Sequence, residues 1–522
     1  MKKTCILAVA TWFVIVCAGD VRAQARRIDP AGIDGALLLP GSYNPSAETF
    51  EKFVELAGGA KAKIVIVTGD KAKFSAPPRD QLAEATKKAG AGEPSVVDRA
   101  ETAKALAEAT GAWIHADSVT GWGKAIKDTS LAEDCRGVLK RGGVVASAAA
   151  GTRFLGTREL AVNTEPGMNL LPDSLIEVRG KTEVSRLYTA PNRWKDLVGY
   201  EIEPNAALLI KGRSISVVGA GSATIFLPPY GAMKIREIKL DAKAKEDLTA
   251  VRRAAYDRAN AFPPAKVEQP IVEKGTLVIV GGGGSPDGLY PKFVEYAGGP
   301  QKAKIVIFPT ANPDPLPKRD VVAQIFKKAG AQKATVLYGR TQAEVESKEF
   351  LDALKEATGL WFDGGRQWRF VDCYENTKAL PLMHDVLARG GVIGGTSAGA
   401  TIQGDYLARG GVFNNFDIRY EGYERGLGFL KGVAIDQHFT QRKRHADMTQ
   451  LMKVYPQYLG IGIDEATAIV VQGSTADVIG KGKVHFYDTN RKFDAGQPDY
   501  EALSAGSRYD LRERKVLPGK AD

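Results

Sequence analysis

The stretch GGVIGGTSAGATIQG, residues 390–404, decides how this chain is read, because a near copy, GGVVASAAAGTRFLG, stands at residues 142–156. Arg389, Gly390, Gly391 and Val392 fall on Arg141, Gly142, Gly143 and Val144, and Ser397 falls on Ala149. The match extends well beyond these stretches. KFVELAGG at 52–59 returns as KFVEYAGG at 292–299, KAKIVI at 61–66 recurs at 302–307, KKAGA at 87–91 recurs at 327–331, and LAEATG at 106–111 returns as LKEATG at 354–359. A repeat of this length is a duplicated domain, not a short-period solenoid. The second copy carries a hydroxyl that the first has exchanged for a methyl group.

Each copy opens on an unbroken apolar run, GALLLP at 35–40 and GTLVIVGG at 275–282, continues through an amphipathic helix and reaches another apolar strand, KIVIVTG at 63–69 and KIVIFPT at 304–310. Strands that are apolar on both faces and alternate with helical patterns indicate parallel sheet covered on both sides. The expected fold is α/β, with two tandem doubly wound, mostly parallel sheets, helices on both faces and flavodoxin-like layering. At 522 residues the chain exceeds a single core, which rarely grows past about 250–300 residues. The expected units are 34–256 and 275–522, joined by a Pro- and charge-rich linker at 257–274.

Ahead of the first unit, Lys2 and Lys3 precede the apolar run CILAVATWFVIVCA at 5–18 and then small residues, the pattern of a signal peptide cleaved after Ala23 or Ala25. The run is shorter than the roughly 20 residues a membrane helix needs, and Val16 is too bulky for lipid attachment at Cys17. The expectation for residues 1–25 is therefore export, to a secreted or periplasmic location, with no membrane association after cleavage. The mature chain keeps Cys135 and Cys373, which lack the ligand spacing of a zinc site; a disulfide between them stays open. The net charge is +10, but Lys and Arg are scattered rather than clustered, which argues against a nucleic-acid partner.

Gly395-Thr396-Ser397-Ala398-Gly399 fits G-x-S-x-G after a strand-like run, a context that lifts a serine hydroxyl out of a sheet and frees the next N–H for an oxyanion. Such a serine needs a base. Of the five histidines, His115 lies in the copy without the serine, His384 on a helix before the elbow, and His485 in an alternating run that reads as a strand surface. His438 and His445 remain. His438 follows the apolar GVAI, at the carboxyl edge where α/β sheets deliver site residues. The carboxylate of a triad is offered by Asp464 or Glu465, which interrupt the apolar GIGIDEATAIVV at 460–471.

GGTSAGA at 394–400, DQHFTQRKR at 436–444 and GIGIDEATA at 460–468, in this order, resemble the cyanophycinase and dipeptidase E family of serine peptidases. That family has a fold similar to class I glutamine amidotransferase domains. The resemblance implies Ser397 as nucleophile, His438 as general base and Glu465 as the third member. Gly365 and Ala398 would supply the oxyanion N–H groups, with no metal and no cofactor. It further implies substrate contacts from Gln367, Asp436, Gln437, Arg442 and Arg444. The implied substrate is a peptide or a cyanophycin-like polymer, with cleavage at β-aspartyl-arginine units. Two positions depart from the pattern: Arg366 stands where the family has an Asp, and Asp447 where an Arg is expected.

In the first copy Ser397 becomes Ala149, the Gly364–Gln367 turn becomes Ala116-Asp117-Ser118-Val119, His438 falls near Arg179, and Glu465 is opposite Pro204. The first copy is expected to be inactive and to pack on the second as a pseudo-dimer. The alternatives are an aspartyl dipeptidase or isoaspartyl peptidase acting on small peptides, an esterase of α/β-hydrolase type using Ser397, Asp464 and His485, and a non-catalytic periplasmic binding module.

Overall fold

The computed structural model describes residues 26–42, 44–68, 79–98, 101–115, 130–148, 150–158, 166–178, 185–189, 194–231, 233–317, 321–494 and 496–519. The expected signal peptide, Ala149, the 116–119 stretch and Arg179 lie outside the described residues.

The apolar runs form the middle of two large sheets in a mixed α/β architecture. In the C-terminal half, five strands pair in parallel in the order Lys333–Val336, Lys304–Phe308, Gly359–Phe362, Val392–Thr396, Val272–Val280. Alternate residues of Val272–Val280 enter different cores, as the two-residue period of a strand requires. Leu277 and Ile279 pack with Met383 and Val386 of helix Ala379–Ala388, whereas Val278 and Val280 pack with Leu289 and Phe293 of helix Leu289–Tyr296. Each such side chain contributes about 1.5–3 kcal/mol when fully buried.

The N-terminal half runs the same way. Ser95–Asp98, Ile64–Thr68, Gly111–Ile114, Val144–Ser147 and Ile33–Pro40 pair in parallel, with Leu37 and Leu39 in one core and Leu38 in another.

The expectation of mostly parallel sheets needs correcting, because hairpins extend each one antiparallel. Thr467–Gly473 and Thr475–Gly480 join beside Val272–Val280, and Ala206–Gly212 and Ser214–Gly219 join beside Ile33–Pro40. Each half also has a smaller sheet that the pattern of long apolar runs does not announce: four strands in the first half and five in the second. The latter holds the parallel strands Leu430–Gln437 and Leu459–Ile463. At the junction, helix Leu248–Ala259 and strand Val272–Val280 overlap both ends of the expected linker, so only 260–271 lack helix or strand.

Helix Leu248–Ala259 lies against the C-terminal half. A Cβ on Gly422 would fall 2.1 Å from Ala250 O, so backbone meets backbone there. Around this contact Arg258 pairs with Glu421 at 3.0 Å, Arg425 with Asp257 at 2.8 Å and Arg213 with Asp372 at 2.6 Å. Cys135 and Cys373 are buried and free, so the structure does not join them. Among the described residues, no helix is long and apolar enough to cross a membrane.

Candidate active site

Four strands of the C-terminal half deliver the candidate residues from their carboxyl ends. Strand Val392–Thr396 turns at Ser397 into helix Ala398–Thr401. Ser397 sits at φ 55° and ψ −113°, a conformation that costs a side-chain-bearing residue on the order of 1–3 kcal/mol and lifts the hydroxyl from the sheet. Gly399 permits the turn, because a Cβ there would lie 2.0 Å from Phe362 O. Strand Leu430–Gln437 ends at His438, and strand Leu459–Ile463 ends at Asp464 and Glu465. Strand Gly359–Phe362 leads to the Gly364–Gln367 turn.

These ends converge. Ser397 Oγ lies 2.9 Å from His438 Nε2, and His438 Nδ1 lies 2.6 Å from Glu465 Oε1. With Nδ1–H donating to the carboxylate, Nε2 is the acceptor for the serine hydroxyl. Burial lowers the His438 pKa below the ordinary imidazole value; the Glu465 hydrogen bond raises it, and Arg442 lowers it again.

A Cβ on Gly364 would stand 3.3 Å from Ser397 Cβ, so this turn borders the nucleophile directly. Gly365 has φ 142°, and a Cβ there would lie 2.2 Å from Ala311 O. Neither Gly365 N–H nor Ala398 N–H donates to another protein group among the described residues. An N–H without a protein acceptor beside a serine hydroxyl is the kind of donor that an oxyanion requires.

Asp464 points elsewhere. Burial works against its charge, but hydrogen bonds from His485 and Thr440 outweigh that and hold it well below the ordinary carboxylate range. Its Oδ1 accepts from Thr440 N at 3.0 Å and its Oδ2 from Lys483 N at 3.0 Å. His485, read from sequence as a strand surface residue, is buried, because strand Lys483–Tyr487 is covered by Phe439, His445 and Tyr500. His445 Nδ1 meets Tyr487 OH at 2.9 Å. The Ser397 hydroxyl thus bonds to His438, and His438 to Glu465, rather than to the Asp464 and His485 of the esterase alternative.

Most of the expected substrate contacts are turned inward. Asp436 is fully buried between Arg409, at 2.9 Å, and Arg444, at 2.7 Å. Arg444 also donates to Gln437 O, and burial lowers its pKa to about 10. Gln367 donates from Nε2 to Ala408 O and Arg409 O, and Gln437 is buried with Oε1 unpartnered. A carboxylate out of water demands cations, so Asp436 draws Arg444 away from the cleft. Arg442 alone of the two expected arginines is exposed.

The two departures from the family pattern each find a partner. Asp447 pairs with Arg409 at 2.6 Å, and Arg366 donates to Gly411 O at 2.5 Å and Asn414 O at 2.7 Å.

Two participants escape the sequence reading. Arg409 is one. The other is the glycine run 281–284, where a Cβ on Gly282 would stand 2.5 Å from the His438 ring and one on Gly283 would stand 2.3 Å from the Glu465 carboxyl carbon. His438 N donates to Gly281 O and Ala466 N donates to Gly282 O, both at 2.8 Å. The visible signal was the run of four glycines directly after an apolar strand. Among the described residues no group of His, Cys, Asp and Glu is placed to hold a metal ion.

The profile of peptidase family S51 matches residues 277–479, which contain Ser397, His438, Glu465, Gly365 and Ala398. A cyanophycinase from Geminocystis herdmanii (strain PCC 6308) is 34% identical over 258 residues, spanning 45% of this chain and 94% of its own. This chain belongs to peptidase family S51. A cyanophycinase from Trichormus variabilis (strain ATCC 29413 / PCC 7937) is 29% identical over 288 residues, covering 50% of this chain and 96% of its own. A solved peptidase from an acI-B1 Actinobacterium aligns over 45% of this chain and 97% of its own, at 23% identity and a TM-score of 0.35. The family makes this chain a serine-type peptidase.

Proposed function

We propose that this S51 peptidase hydrolyses aspartyl peptide linkages, with β-aspartyl-arginine units as its substrate class, through an acyl-enzyme on Ser397. The observation that carries the reading is the unbroken chain of hydrogen bonds from Ser397 through His438 to Glu465. His438 Nε2 takes the hydroxyl proton as Ser397 Oγ attacks the carbonyl carbon. The N–H groups of Gly365 and Ala398 hold the oxyanion. The C–N bond then breaks, and the imidazolium returns its proton to the leaving amine. Water attacks the ester, His438 takes its proton, and Ser397 is released as the alcohol. Arg442 is the exposed cation that would meet a substrate carboxylate.

The same reading makes the N-terminal half an inactive duplicate in a pseudo-dimer, gives each half class I glutamine amidotransferase-like layering, and has the chain exported after removal of residues 1–25. Supporting the duplication are the matching strand orders and Pro204, which lies between strands Val198–Ile202 and Ala206–Gly212 as Glu465 lies between Leu459–Ile463 and Thr467–Gly473.

The test is to incubate the purified protein with insoluble cyanophycin and with small aspartyl dipeptides, following released products by mass. Release of β-aspartyl-arginine is the expected result. Cleavage of dipeptides alone would move the substrate to the second reading, an aspartyl dipeptidase. That reading is favoured by one observation: Arg444 is committed to Asp436, leaving the cleft one exposed arginine fewer than expected.

A pH profile tests the base independently. His438 must be neutral to act, and burial lowers its pKa below 6.5. The acid limb of kcat/KM is therefore expected to fall below pH 6.5, with activity lost as pH drops through the His438 value. A limb centred above pH 7 would contradict this assignment.

A further inference from the structure

The turn that carries Gly365 is continuous with helix Trp368–Tyr374, so wherever that helix is held, the turn is held. The grip comes largely from the other half of the chain. Asp372, buried near the end of the helix, accepts Arg213 Nη1 at 2.6 Å and Tyr423 OH at 2.7 Å, with Arg253 Nη2 at 3.3 Å. Glu375, one residue past the helix, pairs with Arg253. At the other end of the helix, the Arg213 guanidinium lies over the Trp368 ring, 5.1 Å from its centroid.

Arg213 is itself set in place by the N-terminal half. Asp247 receives it at 2.8 Å through Nε and at 3.0 Å through Nη2, a two-point contact that fixes the plane of the fork. The same Asp247 caps helix Leu248–Ala259 through Ala250 N at 2.8 Å, and that helix carries Arg253. One carboxylate thus aligns both arginines that reach across. Among the described residues of the C-terminal half, only the Tyr423 hydroxyl donates a hydrogen bond to the Asp372 carboxylate. A buried carboxylate left without its cations is strongly unfavourable, so the helix follows the arginines.

We propose that Arg213 and Arg253 are positioning residues for the reaction. The N-terminal half, which lacks a carboxylate at the Glu465 position, braces the oxyanion turn of the C-terminal half. The proposal rests on Gly365 N–H being an oxyanion donor. Such a donor acts mainly on the transition state, so a shift of the turn changes kcat more than KM.

The experiment uses the full chain with a cleavable aspartyl peptide, comparing Arg213→Gln, Arg213→Lys, Arg236→Gln and Ser397→Ala. Arg213→Gln is expected to lower kcat about 10- to 100-fold, with KM within about threefold, the scale of a misplacement near 1 Å. Arg213→Lys, which keeps a charge opposite Asp372, recovers kcat in part. It also serves as the test if the Gln variant does not fold, since it too must show a reduced kcat at unchanged KM. Arg236 pairs with Glu421 across the same interface without touching the turn helix, so Arg236→Gln keeps kcat within about twofold, as a half-exposed pair predicts.

Wild-type kcat in both Arg213 variants beside an inactive Ser397→Ala would overturn the brace alone. Equal losses in Arg213→Gln and Arg236→Gln would overturn it too, by reducing the effect to general docking of the halves. A Ser397→Ala chain that stayed active would overturn the site reading and the brace together.

Discussion

Ser397→Ala is expected to lower kcat on an aspartyl peptide by about 10⁴- to 10⁶-fold while leaving KM within a few-fold, because a nucleophile acts in the chemical step and contributes little to ground-state binding. The substitution removes one oxygen whose described partner is His438 Nε2. The strained backbone at residue 397 is retained, and alanine tolerates φ 55° no worse than serine does, so the melting temperature should stay within a few degrees. Residual turnover above the uncatalysed rate would come from the Gly365 and Ala398 N–H groups, which do not depend on the hydroxyl. The measurement is product release under single-turnover conditions. Labelling by a fluorophosphonate, located by mass on the peptide containing residue 397, gives a second readout. Labelling at any other serine, or turnover within tenfold of wild type, would remove Ser397 from the mechanism.

Legibility in the sequence followed the range of the interactions. The elbow could be read because its requirements are local: a strand, small residues at Gly395 and Gly399, and a serine between them. The centres of the large sheets could be read because runs such as LVIV at 277–280 are apolar on both faces. The smaller sheets could not, since a strand such as Gly404–Leu407, GDYL, has neither the length nor the alternation to stand out.

The choice between Asp464 and Glu465 was also closed to pattern alone. Adjacent residues at a strand end point in different directions, and only the fold shows Asp464 tied to Thr440 and Lys483 while Glu465 meets His438. Arg409 and Gly282 were missed for a common reason. Each matters through a neighbour distant in sequence, Arg409 through Asp436 and Asp447, Gly282 through the His438 ring. The repeat carries a trace of the second case. Pro40 pairs with Ala207 as Val280 pairs with Ala468, which sets Ser42 opposite Gly282, and space for a histidine ring is not needed where no histidine follows.

Replacing the two neighbouring carboxylates one at a time separates their roles. Glu465→Gln keeps size and shape but offers an amide to His438. Its N–H can donate to Nδ1, which stabilises the tautomer carrying hydrogen on Nε2 and so removes the acceptor that Ser397 requires. It also withdraws the charge that stabilises the imidazolium. A change of this kind in a serine–histidine–carboxylate site costs about 10⁴-fold in kcat, and a loss of about 10³- to 10⁴-fold is expected here because Glu465 is partly solvated. Asp464→Asn should behave differently. Asp464 accepts two backbone N–H groups and faces His485, so an amide in its place loses acceptor strength and lowers stability, while the bond from His438 to Glu465 persists. Its kcat is expected to fall less than about tenfold, with a lower melting temperature as the larger effect. Thermal unfolding and the pH dependence of kcat/KM, measured on both variants, decide the matter. If Asp464→Asn showed the larger kinetic loss and Glu465→Gln were nearly silent, the carboxylate of the triad would have to be reassigned, and with it the direction from which His438 is oriented.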